Sequence, residues 1–189
     1  KPRVFFGFAE EGPQPATLAN YSDTWPQKKK PADTADARLS AMGTSLEDVL
    51  NIATKFRAQL IQGMTADQGD EAQLGTLSSG YLTQVSGALN SDLAGVYLFG
   101  GTINDQPPVD LTDPVNNAAG TYYTGADQLM AARVDQNTVL DYGTTANRQG
   151  FKDLVASLQG VVTGYNSLNT LETALDKLNN AIEDLTNLQ

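Results

Sequence analysis

The groups in this sequence that could perform chemistry are mainly carboxylates and hydroxyls. Three of the carboxylates, Asp105, Asp110 and Asp113, lie close enough together in sequence to be compared with a calcium-binding loop. They lack the alternate-residue spacing and the later glycine and glutamate of an EF-hand loop. A carboxylate pair for glycoside hydrolysis is compatible with the composition, but no nucleophile elbow, phosphate loop or metal-ligand motif is present. We therefore predict a solvated loop here and no metal site.

The chain contains neither cysteine nor histidine. Disulfides, thiol nucleophiles and zinc sites built from these ligands are excluded, and so is the commonest general base. We accordingly predict no catalytic residue, no cofactor and no metal. The sequence favours a protein that is not an enzyme.

The charge of the chain argues against several classes of partner. The net charge is −10, and the segment 65–150, with ten acidic and two basic residues, supplies −8 of it. Phosphate binding needs clustered lysine and arginine, so no nucleic-acid partner is expected. No apolar run approaches the roughly 18 residues of a membrane span, so no membrane partner is expected either. The acidic middle segment should repel copies of itself unless the contacts are specific.

Two stretches near opposite ends of the chain show heptad spacing. Alternating intervals of three and four residues between apolar side chains predict helices whose seam must be buried against another helix. Because neither seam can be buried alone, we expect the two helices to pack together in one bundle. The predicted rod-packing seams are Leu39, Met42, Leu46, Val49, Ala53, Phe56 and Leu60 in the first helix, and Leu168, Leu171, Leu175, Leu178, Ile182 and Leu185 in the last.

Two further helices are predicted between these seams. The first spans residues 70–94 and is rich in glycine and serine, so its helicity must come from packing rather than from propensity. The second follows Gly150 and ends near Gly160. Asn169, with Glu172 three residues later, resembles a capping box at the start of the last helix. The face of the 70–94 helix that is predicted to be packed comprises Leu74, Leu77, Tyr81, Val85, Ala88 and either Asp92 or Leu93.

The helical pattern stops at the stretch 90–109. Gly95 lies where a helix C-cap needs a left-handed residue, and the four apolar residues 96–99 then predict a strand that ends at Gly100 and Gly101. The alternation of apolar and polar residues predicts later strands at 120–124, 129–134 and 137–141, with a turn at 135–137. This part of the chain is therefore expected to be β-rich.

Residues 1–33 contain five of the eight prolines and the only tryptophan, Trp25. Prolines at this density prevent a continuous helix. We predict an irregular N-terminal segment.

The sequence around the predicted helix end resembles the helix-to-head junction of the flagellin superfamily. It is most similar to the flagellar hook-associated proteins that form the junction between hook and filament. A second similarity follows at Tyr123-Thr124-Gly125. The residues of the junction are Gly95, Tyr97, Leu98, Phe99, Gly101 and Thr102, followed by a Pro-Pro-apolar element at 107–109.

The resemblance implies an α+β fold, in which an elongated antiparallel helical bundle, the rod, carries a small β-rich insertion, the head. On this interpretation the irregular segment is 1–33, the rod is 34–95 with 150–189, and the head is 96–149. The implied function is that of a structural subunit of the bacterial flagellum, outside the cell, which joins hook to filament by lateral and axial packing. Other copies of the chain, neighbouring hook-associated protein, flagellin and an export chaperone are the implied partners.

Two alternatives remain at this stage. A flagellin subunit of the filament itself would have the same rod, whereas a cytosolic coiled-coil adaptor would explain the seams but not the strand-rich segment. The terminal segments that drive polymerisation in the superfamily are not recognised in this sequence. We therefore expect the 189-residue chain to be soluble and monomeric.

Overall fold

The computed structural model describes residues 16–65, 71–133, 138–164 and 167–188, with side chains from residue 32 onward except those of 71 and 72. The architecture is mostly helical, with two small antiparallel sheets. The helices are α1 (Ala16–Thr65), α2 (Glu71–Leu89), α3 (Pro114–Ala119), α4 (Gln149–Gly164) and α5 (Leu168–Thr186), and the strands are β1 (Asp92–Leu93), β2 (Val96–Tyr97), β3 (Met130–Arg133) and β4 (Val139–Tyr142).

The four long helices contact one another in a closed order, since α1 touches α2, α2 touches α4, α4 touches α5, and α5 touches α1. Neighbouring helices run in opposite directions. Near the end of α1, Gly63 lies beside Leu74, which is near the start of α2. Earlier on α1, Ser45 is hydrogen-bonded to Ser91, just past the end of α2. On α4 and α5, Gly150 near the start of α4 lies beside Leu185 near the end of α5, and Gly164 at the end of α4 lies beside Thr170 near the start of α5. Between these points the Ser157 hydroxyl donates to the Ala174 carbonyl at 2.6 Å.

Most of the predicted seam positions face this common core. They pack in one apolar cluster that contains side chains of all four long helices. Leu175 and Ile182 are half-buried at its edge. The buried seam residues are Met42, Leu46, Val49, Ala53, Phe56 and Leu60 on α1, and Leu171, Leu178 and Leu185 on α5.

Two seam positions depart from the prediction. Leu39 is 43% exposed and Leu168 is 64% exposed. Leu168 is the first residue of α5, where the helix has not yet met its neighbours. Leu39 lies beside Leu188 in a surface groove at the C-terminal end of α5, so little of the last helix remains to cover it. Heptad spacing predicts a helical face, but it cannot predict where the partner helix ends.

Helix α2 buries a face rotated by about one position from the prediction. Leu77, Tyr81 and Ala88 are half-buried, although Leu74 and Val85 are buried as expected. The difference arises because α2 packs against both α1 and α4, so the buried part of its surface is broad. Two overlapping sets of residues along α2 then fit a spacing of three and four residues. The residues that complete the buried face are Ser78, Leu82 and Leu89.

The N-terminal part of the chain differs from the predicted irregular segment. Helix α1 begins at Ala16 and continues through Pro26 and Pro31, whereas residues 1–15 lie outside the described residues. Proline removes one hydrogen bond and disfavours a helix interior by ~3 kcal/mol. Extension of an existing helix adds a hydrogen bond for each residue that is fixed, so a helix formed over 34–65 can continue backwards past these residues.

The segment between α2 and α4 holds both small sheets and α3. Strand β3 pairs with β4, Met130 lying opposite Tyr142 and Arg133 opposite Val139. Strand β3 falls within its predicted range, and β4 ends at Tyr142, one residue beyond the predicted 137–141. Residues 134–137, with the predicted turn, lie outside the described part. The strand predicted at 120–124 is reduced to an isolated bridge between Tyr123 and Val109.

Helix α3 was not predicted, because its six residues are too few to show a helical apolar period. Asp113 accepts a hydrogen bond from the Val115 N–H at 2.9 Å and so caps the helix, and Pro114 occupies the first turn. Gly120 ends it in the left-handed conformation. An aspartate N-cap followed directly by proline is a recognised signal for the start of a helix, and it predicts α3 from the sequence.

The last two helices also differ in detail from the prediction. Helix α4 continues through Gly160 to Gly164, because its apolar face remains packed on α2 and α5. The N-cap of α5 is Ser167, two residues before the predicted Asn169. Asn169 instead lies in the first turn, where its carbonyl accepts the Thr173 hydroxyl.

Candidate functional site

The helix-to-head junction begins where α2 ends at Leu89. A two-residue turn then joins β1 to β2, with Asp92 opposite Tyr97 and Leu93 opposite Val96. Both turn residues have positive φ, 56° at Ala94 and 78° at Gly95, as type I′ hairpin turns require. The left-handed conformation predicted for Gly95 is present, but it serves a hairpin and not a helix cap. The strand predicted at 96–99 is limited to its first two residues.

Asn90 connects the end of α2 to the head through both ends of its side-chain amide. Its Nδ2 donates to the Val109 carbonyl at 2.8 Å, and its Oδ1 accepts the Val109 N–H at 3.0 Å. On the other side of the same segment, Thr124 N–H donates to the Pro108 carbonyl and Asp110 N–H donates to the Tyr122 carbonyl. The amide of Asn90 therefore pairs with the backbone of residues 108–110 in the way that a residue of a neighbouring strand would. Asn90 is not among the predicted junction residues.

The centre of the junction is apolar. Leu98 is 1% exposed, and Phe99 is fully buried with its ring 5.9 Å from that of Phe151, edge to face. Because Phe151 lies in the first turn of α4, the aromatic pair links the end of the first helical hairpin to the start of the second. Tyr97 is half-buried. Edge-to-face aromatic pairs contribute ~0.5–1.5 kcal/mol beyond the burial of their area.

At Gly101 two backbone segments lie very close to each other. Its φ is 64°, and a Cβ placed on it would lie against the carbonyl oxygens of Ala126 and Gln128. Ala126 N–H donates to the Gly100 carbonyl at 2.9 Å, and the N–H of the exposed Thr102 donates to the Gln128 carbonyl at 3.0 Å. A side chain at position 101 would force these segments apart.

Two tyrosines close the junction from the head. Tyr122 is buried and donates its hydroxyl to the Ala146 carbonyl at 3.1 Å, while Tyr123 donates to the Ala126 carbonyl at 2.7 Å. Burial raises the pKa of Tyr122 well above its usual range, and the charge of Asp153 adds to this effect. Burial, aided by the charge of Asp127, raises the pKa of Tyr123 to about 12. Both hydroxyls therefore remain neutral hydrogen-bond donors at physiological pH.

Two of the three aspartates compared with a calcium loop, Asp110 and Asp113, have structural partners. The Asp110 carboxylate accepts the Thr112 hydroxyl at 2.6 Å and the Thr112 N–H at 3.0 Å, and these bonds lower the pKa of Asp110. Asp113 caps α3. Within the described residues, no group of three or more acidic side chains is arranged to hold a metal ion. The described helices also include none with the length and apolar character needed to cross a membrane.

The junction is thus a set of packed and hydrogen-bonded backbone segments. Among the described residues it brings together all six predicted positions, of which Leu98, Phe99 and Gly101 are buried and Gly95 and Thr102 are exposed. The sequence matches no protein-family model and no curated protein.

The structure of Bacillus cereus FlgL superposes with a TM-score of 0.72, at 17% identity over 91% of this chain and 82% of that chain. A Vibrio parahaemolyticus protein assigned as flagellar hook-associated gives a TM-score of 0.61, at 18% identity over 91% of this chain and 83% of that one. The chain has the fold of the flagellar hook-associated proteins. The resemblance inferred from the junction residues is thereby confirmed for the fold. Both solved structures are described as flagellar proteins, and neither description names a catalytic activity.

Proposed function

We propose that the chain is a structural subunit of the bacterial flagellum that joins hook to filament. The observation that carries the proposal is the match of nine-tenths of the chain to two hook-associated proteins, because FlgL is a hook–filament junction protein. The described side chains also offer no metal cluster, and the polar groups of the junction are used in holding segments together.

In this proposal the rod, residues 34–95 and 150–189, packs laterally and axially on neighbouring subunits, and the head, 96–149, faces outward. The six junction residues fix the head on the rod, and the seams hold the rod together. The partners are other copies of the chain, neighbouring hook-associated protein, flagellin and an export chaperone. The place of action is the extracellular flagellum.

The arrangement of the head supports this choice over a cytosolic coiled-coil adaptor. The head contacts α1 through β3 and α4 through α3, and it contributes Leu98, Phe99 and Tyr122 to the common core. An adaptor that works through its helices alone would not need to bury aromatic residues of an insertion. A filament flagellin would share the same rod, and the experiment below separates it from a junction protein.

Deletion of the gene, followed by electron microscopy of the cells, tests the proposal. For a junction protein we expect hooks without filaments and unassembled flagellin in the medium, both reversed by the intact gene on a plasmid. Filaments of altered shape or missing one component would identify a flagellin instead. Normal filaments and normal swimming would contradict a role in the flagellum.

A further inference from the structure

A surface groove of about 550 Å³ runs between α2 and α4 and continues beside the start of the head. Its wall on α2 is made of small polar residues, its floor is apolar, and its rim at the head carries a carboxylate. The residues that define this groove, which we call the α2–α4 groove, are Ser79, Leu82, Thr83 and Ser86 on α2, Asn90, Val109, Asp110, Leu111, Thr112 and Pro114 at the head, and Gln159 and Val162 on α4.

Gln159 lines the α2–α4 groove from α4. The residue is only 3% exposed, and its Oε1 accepts the Nδ2 of Asn117 at 3.1 Å. Its Nε2 is buried and has no hydrogen-bond partner among the described residues. Because the Nε2 atom is buried, an occupant of the groove meets the outer surface of this side chain and not its free donor.

The charge of the rim restricts the occupant further. The Asp110 carboxylate stays ionised because the Thr112 hydroxyl and N–H lower its pKa, and Asp113 lies three residues away at the start of α3. No lysine or arginine is among the groove residues. The occupant should therefore place a cationic side chain at the rim and, next to it, an apolar side chain on the floor of the groove.

The outer face of α1 carries this combination. Arg57 is exposed, and Ile61 one turn later is 45% exposed. Side chains four residues apart lie on the same face of a helix. The cation and the apolar side chain thus follow one another along one face of α1.

We propose that α1 of a second copy of this chain occupies the α2–α4 groove. Arg57 of that copy pairs with Asp110, and Ile61 covers Leu82 and Leu111. The contact joins two different surfaces, so each copy can give its α1 face and receive another at the same time, which produces a ring or a helical array. This inference rests on the proposed function, because only an assembling subunit needs such a contact.

The charges also set the offset between neighbours. Ser45 is hydrogen-bonded to Ser91, and Asn90 holds Val109, so Asp110 lies roughly level with Leu46 on α1. A neighbour at the same height would place the exposed Glu47 and Asp48 against Asp110, a repulsive arrangement. A displacement of about 16 Å along the rod, at ~1.5 Å per residue, brings Arg57 to Asp110 instead.

A charge exchange tests the pairing in cells that lack the chromosomal gene. Because both charges lie in one interface, Arg57→Asp and Asp110→Arg should each reduce the number of filaments per cell about tenfold. The double variant should restore it to within about threefold of the wild type. Arg148→Asp, also an exposed arginine, is the matched control and should have no effect. Failure of the double variant to recover, while both singles are defective and still fold as judged by their melting curves, would overturn the pairing.

The absence of native cysteine permits a direct test of proximity. Cells that produce Ile61→Cys and Thr83→Cys chains together should give a disulfide-linked heterodimer of the two chains after mild oxidation. Chains with Val139→Cys, an exposed position on β4, should not cross-link to Thr83→Cys. Linkage of Thr83→Cys only to itself or to a different protein, or no linkage, would overturn the second copy as occupant. Loss of filaments on gene deletion would still support the proposed function in that case, so the two failures are distinguishable.

Discussion

Asn90 is the residue whose removal should loosen the head without disturbing the rod. Its amide is hydrogen-bonded to both backbone groups of Val109, and Val109 is only 4% exposed. Asn90→Ala leaves this buried N–H and carbonyl unpaired at ~1–3 kcal/mol each. Because Asn90 itself is half-buried, water can reach part of the site. We therefore expect a loss of about 2–4 kcal/mol in the free energy of unfolding.

A second substitution separates hydrogen bonding from packing at the same position. Asn90→Asp preserves the shape and the acceptor for the Val109 N–H, but it places a carboxylate oxygen where Nδ2 now donates to the Val109 carbonyl. Two facing oxygens repel, so we expect a destabilisation at least as large as that of Asn90→Ala. Urea denaturation gives the free energy, and hydrogen exchange at the Val109 amide shows whether the loss is local.

The control is Asn51→Ala, a change of the same type at an exposed position on α1. Alanine is the better helix former, so this variant should be unchanged or slightly more stable. A loss below ~0.5 kcal/mol for Asn90→Ala, with unchanged exchange at Val109, would refute the reasoning. It would mean that the backbone of the head is held by its own bonds and that the amide adds nothing.

Three further predictions follow from the junction and the helix beside it. Phe99→Ala should cost ~3–5 kcal/mol because the side chain is fully buried against Phe151, and an unchanged melting curve would contradict this burial. Gly80→Ala should raise the free energy of unfolding by up to ~1 kcal/mol, since a Cβ there meets nothing, whereas Gly101→Ala should lower it; urea titrations that reverse this order would exclude the close approach at 101. The contribution of Tyr123 to stability should be constant below pH 10 and be lost between pH 10 and 12, because folding raises the pKa of Tyr123 to about 12 and the unfolded chain releases this proton first. Thermal melts of Tyr123→Phe should show a shallower decline, since Tyr122 still contributes, and a decline equal to that of the wild type would rule out Tyr123.

The helices were predictable because their signal is repeated many times. In the first helix, six of the seven seam residues are buried. Because the pattern is repeated, the same helix would have been predicted if one of these residues had been polar. The exceptions lie at the limits of the partner helix, as at Leu39 and Leu168. Spacing along one helix contains no information about where its neighbour stops.

The junction was predictable only in part, because its contacts join distant positions through the backbone. The roles of Gly95 and Phe99 follow from their residue types, because glycine accepts a positive φ and phenylalanine has a large apolar surface to bury. Asn90 does not, since an asparagine at a helix end has many backbone groups within reach. Its partner 19 residues later is fixed by the whole fold of the head, and no local pattern specifies it.

The connection between head and rod is rigid because it is made at separate helices. Ser91 beside β1 bonds to Ser45 on α1, and Arg38, also on α1, donates to the Tyr142 hydroxyl on β4 at 3.1 Å. On the other side, Phe99 packs against α4 through Phe151. A head attached to one helix could swing about that attachment. A head attached to both α1 and α4 cannot rotate without breaking buried contacts on at least one of them, so a force on the head is transmitted to the bundle as a whole. A subunit placed between two structures of different geometry would need this property, since its two ends must keep a fixed relation while each meets its own neighbours.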